Sequence, residues 1–208
     1  LVVAATRYEA PYSSQPSQWQ RLNDFLTHEL ESGRLSLVAN NRADRDYITY
    51  YSDLLPEYVP SVCDYTRATW YGRAGRKVIL SRTPSLTDEL TSRSRGAWQP
   101  VRAALPKRYS WQQLADVEEV FFIPYNVSTM TLFELATSGV PVSVPSPKLM
   151  RMLWERNSGL LGEVSWFQVR DLGPPPTWDM LNNTGSDGFL EFWLSRADFY
   201  DANLMPNV

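Results

Sequence analysis

The chain has 208 residues, 43% hydrophobic and 21% charged, with a net charge of -3. Those totals belong to an ordinary globular protein rather than a disordered one, and the acidic balance argues against a general nucleic-acid binder. One cysteine, Cys63, excludes an internal disulfide, one histidine, His28, leaves no ordinary zinc constellation, and no apolar run approaches the roughly 18 residues of a membrane helix.

In chain order, Leu1-Val2-Val3-Ala4-Ala5 reads as a buried strand that finishes at Thr6-Arg7-Tyr8-Glu9. Charged residues just past a strand end are cleft candidates, which singles out Glu9. The chain starts without methionine and in the middle of a strand-like run, so we expect a piece of a longer protein. Trp19, Leu22, Leu26 and Leu30 recur at helical spacing, which predicts a helix over residues 19–30 with His28 on its surface. Gly33 follows its end, residues 35–39 give a second strand, and Asn41 or Asp44 caps a second helix. Residues 53–71, with Pro56, Pro60 and several aromatics, read as an extended connection. Gly72 and Gly75 mark an expected hinge, dividing the chain into domains 1–72 and 73–208.

Lys77-Val78-Ile79-Leu80 is a strand that ends in Ser81-Arg82. Residues 83–109 carry Arg93, Arg95, Arg102, Lys107 and Arg108 and read as a solvated, phosphate-compatible loop, broken by a helix near residues 98–105. Ser110 caps a short turn through Leu114. Val120 to Ile123, all β-branched or aromatic, reads as a buried strand, and Pro124-Tyr125-Asn126 as a turn. Ser128 or Thr129 caps a helix carrying Met130, Leu132, Phe133 and Ala136; Gly139 ends it, and Val140-Pro141-Val142 opens another strand. A helix over residues 147–156 is expected to turn Leu149, Met152 and Leu153 inward. Residues 164–169 read as a strand, residues 173–176 as a rigid loop, and Ser186 or Asp187 as the cap of a last helix reaching about Ala197.

Alternating strands and helices predict an α/β protein with a Rossmann-like, mainly parallel sheet covered on both faces, and a ligand cleft between two such units. The aromatic share of 13% fits either a well-packed core or an aromatic-lined cleft. No G-x-G-x-x-G, Walker lysine or G-x-S-x-G motif occurs, so dinucleotide, P-loop and serine-hydrolase chemistries lack their residues. What remains is residues 117–149. Ser128, Thr129 and Thr131 gather at a helix start, where N–H groups and the positive dipole end suit a diphosphate. Glu134, one turn on, can accept two hydrogen bonds from a ribose diol; the plainer alternative is a capped core helix with one exposed glutamate.

The run Phe133-Glu134-Leu135-Ala136-Thr137-Ser138-Gly139-Val140-Pro141-Val142 resembles the donor-binding segment of GT-B glycosyltransferases, E-A-x-A-x-G-x-P-V-[IV]. The resemblance covers residues 119–149 well and residues 36–82 weakly. It implies two Rossmann-like domains, here an incomplete pair, with the donor half in residues 73–208 and part of the acceptor half before it. Glu134 would then bind the nucleotide ribose, with Asn126, Ser128, Thr129 and Thr131 beside the diphosphate or sugar and Ser81 and Arg82 facing the phosphates. Asn126 stands near where retaining members carry an E-G-F-G segment, so the stereochemical outcome is open.

The implied reaction moves a sugar from a nucleotide-diphosphate sugar to a hydroxyl of a glycan, protein or lipid acceptor, without a metal or other cofactor. Glu9 is the candidate general base. Two rivals keep the fold and change the function: a non-catalytic binding or assembly module, and a sugar-nucleotide epimerase. Asn126-Val127-Ser128 and Asn182-Asn183-Thr184 match the N-glycosylation pattern. Either a cytoplasmic or a lumenal ER or Golgi location is compatible.

Overall fold

The computed structural model describes residues 2–5, 16–60, 63–126, 129–156, 190–191, 194–205 and 208. The chain divides into two compact units, Leu1–Ser61 with Val164–Asp198 and Val62–Glu163 with Phe199–Val208. Gly72 and Gly75, at the expected hinge, lie inside the second unit. The expected strand at 164–169, the loop at 173–176 and the caps Ser186 and Asp187 fall outside the described residues.

The first unit runs β1 (Val2–Ala5), α1 (Pro16–Glu31), β2 (Ser36–Ala39), α2 (Arg42–Ser52) and β3 (Glu57–Tyr58). The strands form a parallel sheet in the order β1-β2-β3. Parallel neighbours need crossovers, and the two helices supply them. Along α1 the helical spacing buries Leu26 and leaves His28 and Phe25 outside. Asn41 caps α2 by accepting from the Asp44 N–H, and both side chains are buried. Within residues 53–71 the short strand β3 had no periodicity to announce it. Tyr58 is held there by long-range bonds instead.

Its phenol donates to Asp198 at 3.0 Å, and the Arg42 guanidinium donates to the other oxygen of the same carboxylate at 2.7 Å. Asp198 is only 2% exposed, so α2, β3 and the last residues of this unit share one enclosed anion. Hydrogen bonds to a charged group are the strong kind. Asp198→Ala is therefore expected to destabilise this unit by roughly 2 kcal/mol, against well under 1 kcal/mol for Asp24→Ala on the exposed face of α1; paired urea titrations measure both.

The second unit runs β4 (Lys77–Leu80), α3 (Pro84–Arg93), β5 (Gln99–Pro100), α4 (Val101–Ala104), α5 (Trp111–Ala115), β6 (Glu119–Phe122), α6 (Met130–Thr137), β7 (Val142–Ser143) and α7 (Pro147–Arg156). Its four strands are all parallel, in the order β5-β4-β6-β7. One face carries Val78, Val120, Phe122 and Val142, all buried; the other carries Lys77, Ile79, Glu119, Phe121 and Ser143. The connections β4–β5 and β6–β7 travel in opposite directions along the sheet. Right-handed crossovers then set α3 and α6 against opposite faces.

Two local expectations are corrected. Residues 83–109 are not mainly loop: α3 fills residues 84–93, started by Pro84 in its first turn. Its buried residues are only Leu86 and Thr87, too thin an apolar stripe for periodicity to reveal. The expected helix near residues 98–105 shrinks to α4, preceded by β5. In α7 the boundaries hold and the face turns. Met150 and Leu153, three apart, are buried, whereas Met152 is exposed and Leu149 lies between.

Gly139 ends α6 as expected, at φ +79°. Its N–H bonds the Ala136 carbonyl, and the Val140 N–H reaches back to the Leu135 carbonyl. That paired closure needs a left-handed residue after the helix. Gly139→Ala leaves room for the methyl, with its nearest neighbour the Trp70 Cβ at 3.9 Å, but forces an L residue into that region. The expected loss is about 1–2 kcal/mol, read as a lower midpoint in chemical denaturation.

At the amino-terminal end of the sheet, Glu119 on β6 accepts from Lys77 on β4 at 2.9 Å and from Ser143 on β7 at 2.7 Å. Burial raises the Glu119 pKa, but the Ser143 and Lys77 bonds outweigh it and hold the carboxyl below its ordinary value of 4.5. A carboxyl with a depressed folded value stabilises above its unfolded pKa, and that contribution disappears as the pH falls through the folded value. Glu119→Gln should accordingly lower stability at pH 7, and the gap from wild type should close as the pH falls through the depressed folded value, beneath the ordinary carboxylate range. Denaturation at pH 7 and below that folded value measures the difference.

Candidate functional site

The strand order of the second unit fixes where a site can form. From β4 the chain moves outward to β5, then returns past β4 to place β6 on its other side. The carboxyl ends of β4 and β6 are thus the point where the winding reverses, and a crevice opens there because no crossover fills it. A cavity of about 190 Å³ occupies that place, lined by Leu80, Ser81 and Arg82 after β4 and by Phe122, Ile123 and Tyr125 after β6. Tyr109, Trp111 and Leu114 complete one wall and Thr131 of α6 another.

The chemistry of the lining is mixed. Tyr109, Trp111, Phe122 and Tyr125 provide aromatic surface. The Arg82 guanidinium lies over the Tyr125 ring, 3.4 Å from its centroid. Such stacking holds the planar cation flat against the ring and fixes its position at the cavity edge. The Ser81 hydroxyl accepts from the Thr83 N–H at 3.0 Å, which fixes the turn from β4 into α3. A second cavity of about 330 Å³ lies on the other side of the β4 end, lined by Ser81, Arg82, Pro84, Thr87, Asp88 and Arg102. Ser81 and Arg82 border both.

Of the residues singled out in the sequence, Ser81, Arg82 and Thr131 come together on the first cavity. Asn126, Thr129 and Glu134 do not line it. Asn126 is wholly enclosed, so its side-chain amide is inaccessible in the folded chain. Thr129 stands at the cap position of α6, but its side chain caps nothing. The hydroxyl donates instead to the Asn126 carbonyl at 2.8 Å, and the residue is 1% exposed.

Glu134 is fully buried rather than an exposed residue on the rim. Its Oε1 accepts from both the N–H and the hydroxyl of Thr66. Ser128 and Glu9 fall outside the described residues. Among the described residues no cluster of His, Cys, Asp or Glu is set to hold a metal ion, and no helix is long and apolar enough to cross a membrane.

Sequence reasoning missed Tyr109, Trp111 and Tyr125. Tyr125 sits in the turn directly after β6, where a carboxyl-end position is itself a signal. Tyr109 and Trp111 flank Ser110, whose capping box with Gln113 fixes the start of α5 and so presents both rings. The aromatic content fits either a packed core or an aromatic-lined cleft, and these three rings line the cavity. Compared with family models, curated proteins and solved structures, the chain has no match.

Proposed function

We propose that the second unit binds a nucleoside diphosphate sugar, as the donor domain of a GT-B-like glycosyltransferase. The observation that carries this reading is the cavity at the winding reversal, with Arg82 stacked on Tyr125 and Tyr109 and Trp111 in the same lining. The aromatic surface suits a flat base, and the guanidinium charge suits a phosphate. In the transfer, negative charge grows on the diphosphate as the glycosidic bond breaks. A fixed cation stabilises that charge without rearrangement. Ser81, Arg82 and Thr131 are the donor-binding residues of this proposal; Asn126, Ser128, Thr129 and Glu134 belong to it through the family resemblance, and Glu9 is its proposed base. The acceptor is a hydroxyl of a glycan, protein or lipid.

The enclosure of Glu134 favours a second reading: a module with the same fold that binds or assembles without catalysing transfer. Calorimetry with UDP, GDP, ADP and CDP, followed by assay for diphosphate release from the matching sugar donors, separates the two. Under the first reading one nucleotide binds and its sugar donor is turned over. Arg82→Ala is expected to weaken nucleotide binding at least tenfold, and Tyr125→Leu, which removes the platform under the guanidinium, severalfold. Unchanged binding in Arg82→Ala would remove this cavity as the phosphate site.

A further inference from the structure

Residues 63–72 form a strap within the second unit. Near its far end it is firmly held: Trp70 donates its N–H to the Ser138 carbonyl at 2.8 Å and its indole N–H to the Val117 carbonyl at 3.0 Å. Thr69 and Gln112 exchange two hydrogen bonds, 3.2 and 2.7 Å. Nearer the start, the strap's tie to Glu134 comes from Thr66 alone, whose N–H (3.1 Å) and hydroxyl both serve Oε1. Two donors on one oxygen leave the other, Oε2, buried and without a partner among the described residues.

That asymmetry is unusual for a purely structural carboxylate. An ionised carboxyl accepts on both oxygens, and an enclosed oxygen left without a donor is expensive. The surroundings connect this carboxylate to the cavity. Thr131, which lines the cavity, lies three residues before Glu134 and therefore on the same side of α6. Tyr65, the neighbour of Thr66, sets its ring edge-on to Trp111 with centroids 6.2 Å apart, and Trp111 is a cavity wall. Burial and then the Glu134 carboxylate push the Tyr65 phenol above its ordinary value, in keeping with their proximity. Directly after Thr66, Arg67 holds φ +53°, a left-handed conformation that a non-glycine residue adopts at some cost.

We propose that the Thr66–Glu134 contact is a displaceable latch. In the closed state the N–H and O–H of Thr66 occupy the carboxylate as two donors. A ligand in the cavity that carries a vicinal diol replaces them, filling Oε2 as well as Oε1, and the strap from Cys63 to Arg67 lifts. Thr69 and Trp70 stay anchored. The inference rests on the reading of the cavity as a nucleotide site, and it adds a gate to that site.

Cys63 makes the motion measurable, being the chain's only cysteine and 6% exposed within the strap. Thr66→Val keeps the side-chain shape and removes the hydroxyl donor. Its Cys63 should react with iodoacetamide about tenfold faster than in wild type, with amide exchange in β4 and β6 unchanged. Of UDP, GDP, ADP and CDP, the one that binds should bind Thr66→Val severalfold more tightly and should accelerate alkylation of the wild type. Equal alkylation rates overturn the latch, as does acceleration accompanied by core exchange, which would mean the whole unit had opened. Identical nucleotide affinity in both proteins, with no effect on Cys63, overturns the latch alone and leaves the nucleotide reading standing. Binding of no nucleotide by either protein overturns the nucleotide reading and takes the latch's ligand with it.

Discussion

The parallel pairing of β4 with β6 is the constraint on which the second unit depends. Lys77 to Leu80 lies beside Glu119 to Phe122 residue for residue, although an excursion through α3, β5, α4 and α5 separates them in the chain. Because β5 was laid down on the opposite side of β4, the loops leaving β4 and β6 diverge to the two faces of the sheet. The gap between them follows from topology, whatever residues line it. What the sequence contributes is the lining: a serine and an arginine after one strand, and an isoleucine and a tyrosine after the other. At the far end of the same two strands, Glu119 bonds Lys77 and Ser143 and so holds three strands in register where no ligand is needed. The stabilising cluster and the candidate cavity thus sit at opposite ends of one sheet.

Much of this was legible from residues alone. The boundaries of β4 and α7, the capped start of α5, the glycine end of α6 and the parallel α/β architecture all follow from short-range rules of capping, periodicity and turn chemistry. Those rules operate within a few residues, and there they succeed. They fail where the deciding partner is distant. Periodicity was blind to α3, because a helix with only Leu86 and Thr87 buried has no stripe to detect. It also misread the inward face of α7, where tertiary packing chose Met150 over Met152.

The candidate site shows the same division. The spacing of Thr131 and Glu134 sets them one turn apart on α6, but spacing says nothing of what covers the glutamate. The cover is Thr66, 68 residues away from Glu134. Thr129 offers a parallel case. Its hydroxyl was expected to meet the helix N-terminus or a phosphate, and it turned back to the Asn126 carbonyl, a competing local acceptor. Arg82 and Tyr125 became a pair only because two strand ends lie side by side. A long-range contact has no sequence signature of its own.

Trp70 deserves a last consequence. With its backbone and its indole both bonded, and Gly72 at φ +62° so close that an added Cβ would stand 3.0 Å from the ring, this residue rivets the strap to the body of the unit. A ribbon riveted at one end can only peel from the other. Local opening free energy should therefore rise stepwise along the strap, lowest at Cys63 and approaching that of the whole unit at Trp70. Within the second unit, residues 63–72 are then a ribbon of graded stiffness, most rigid where Trp70 bonds Ser138 and Val117.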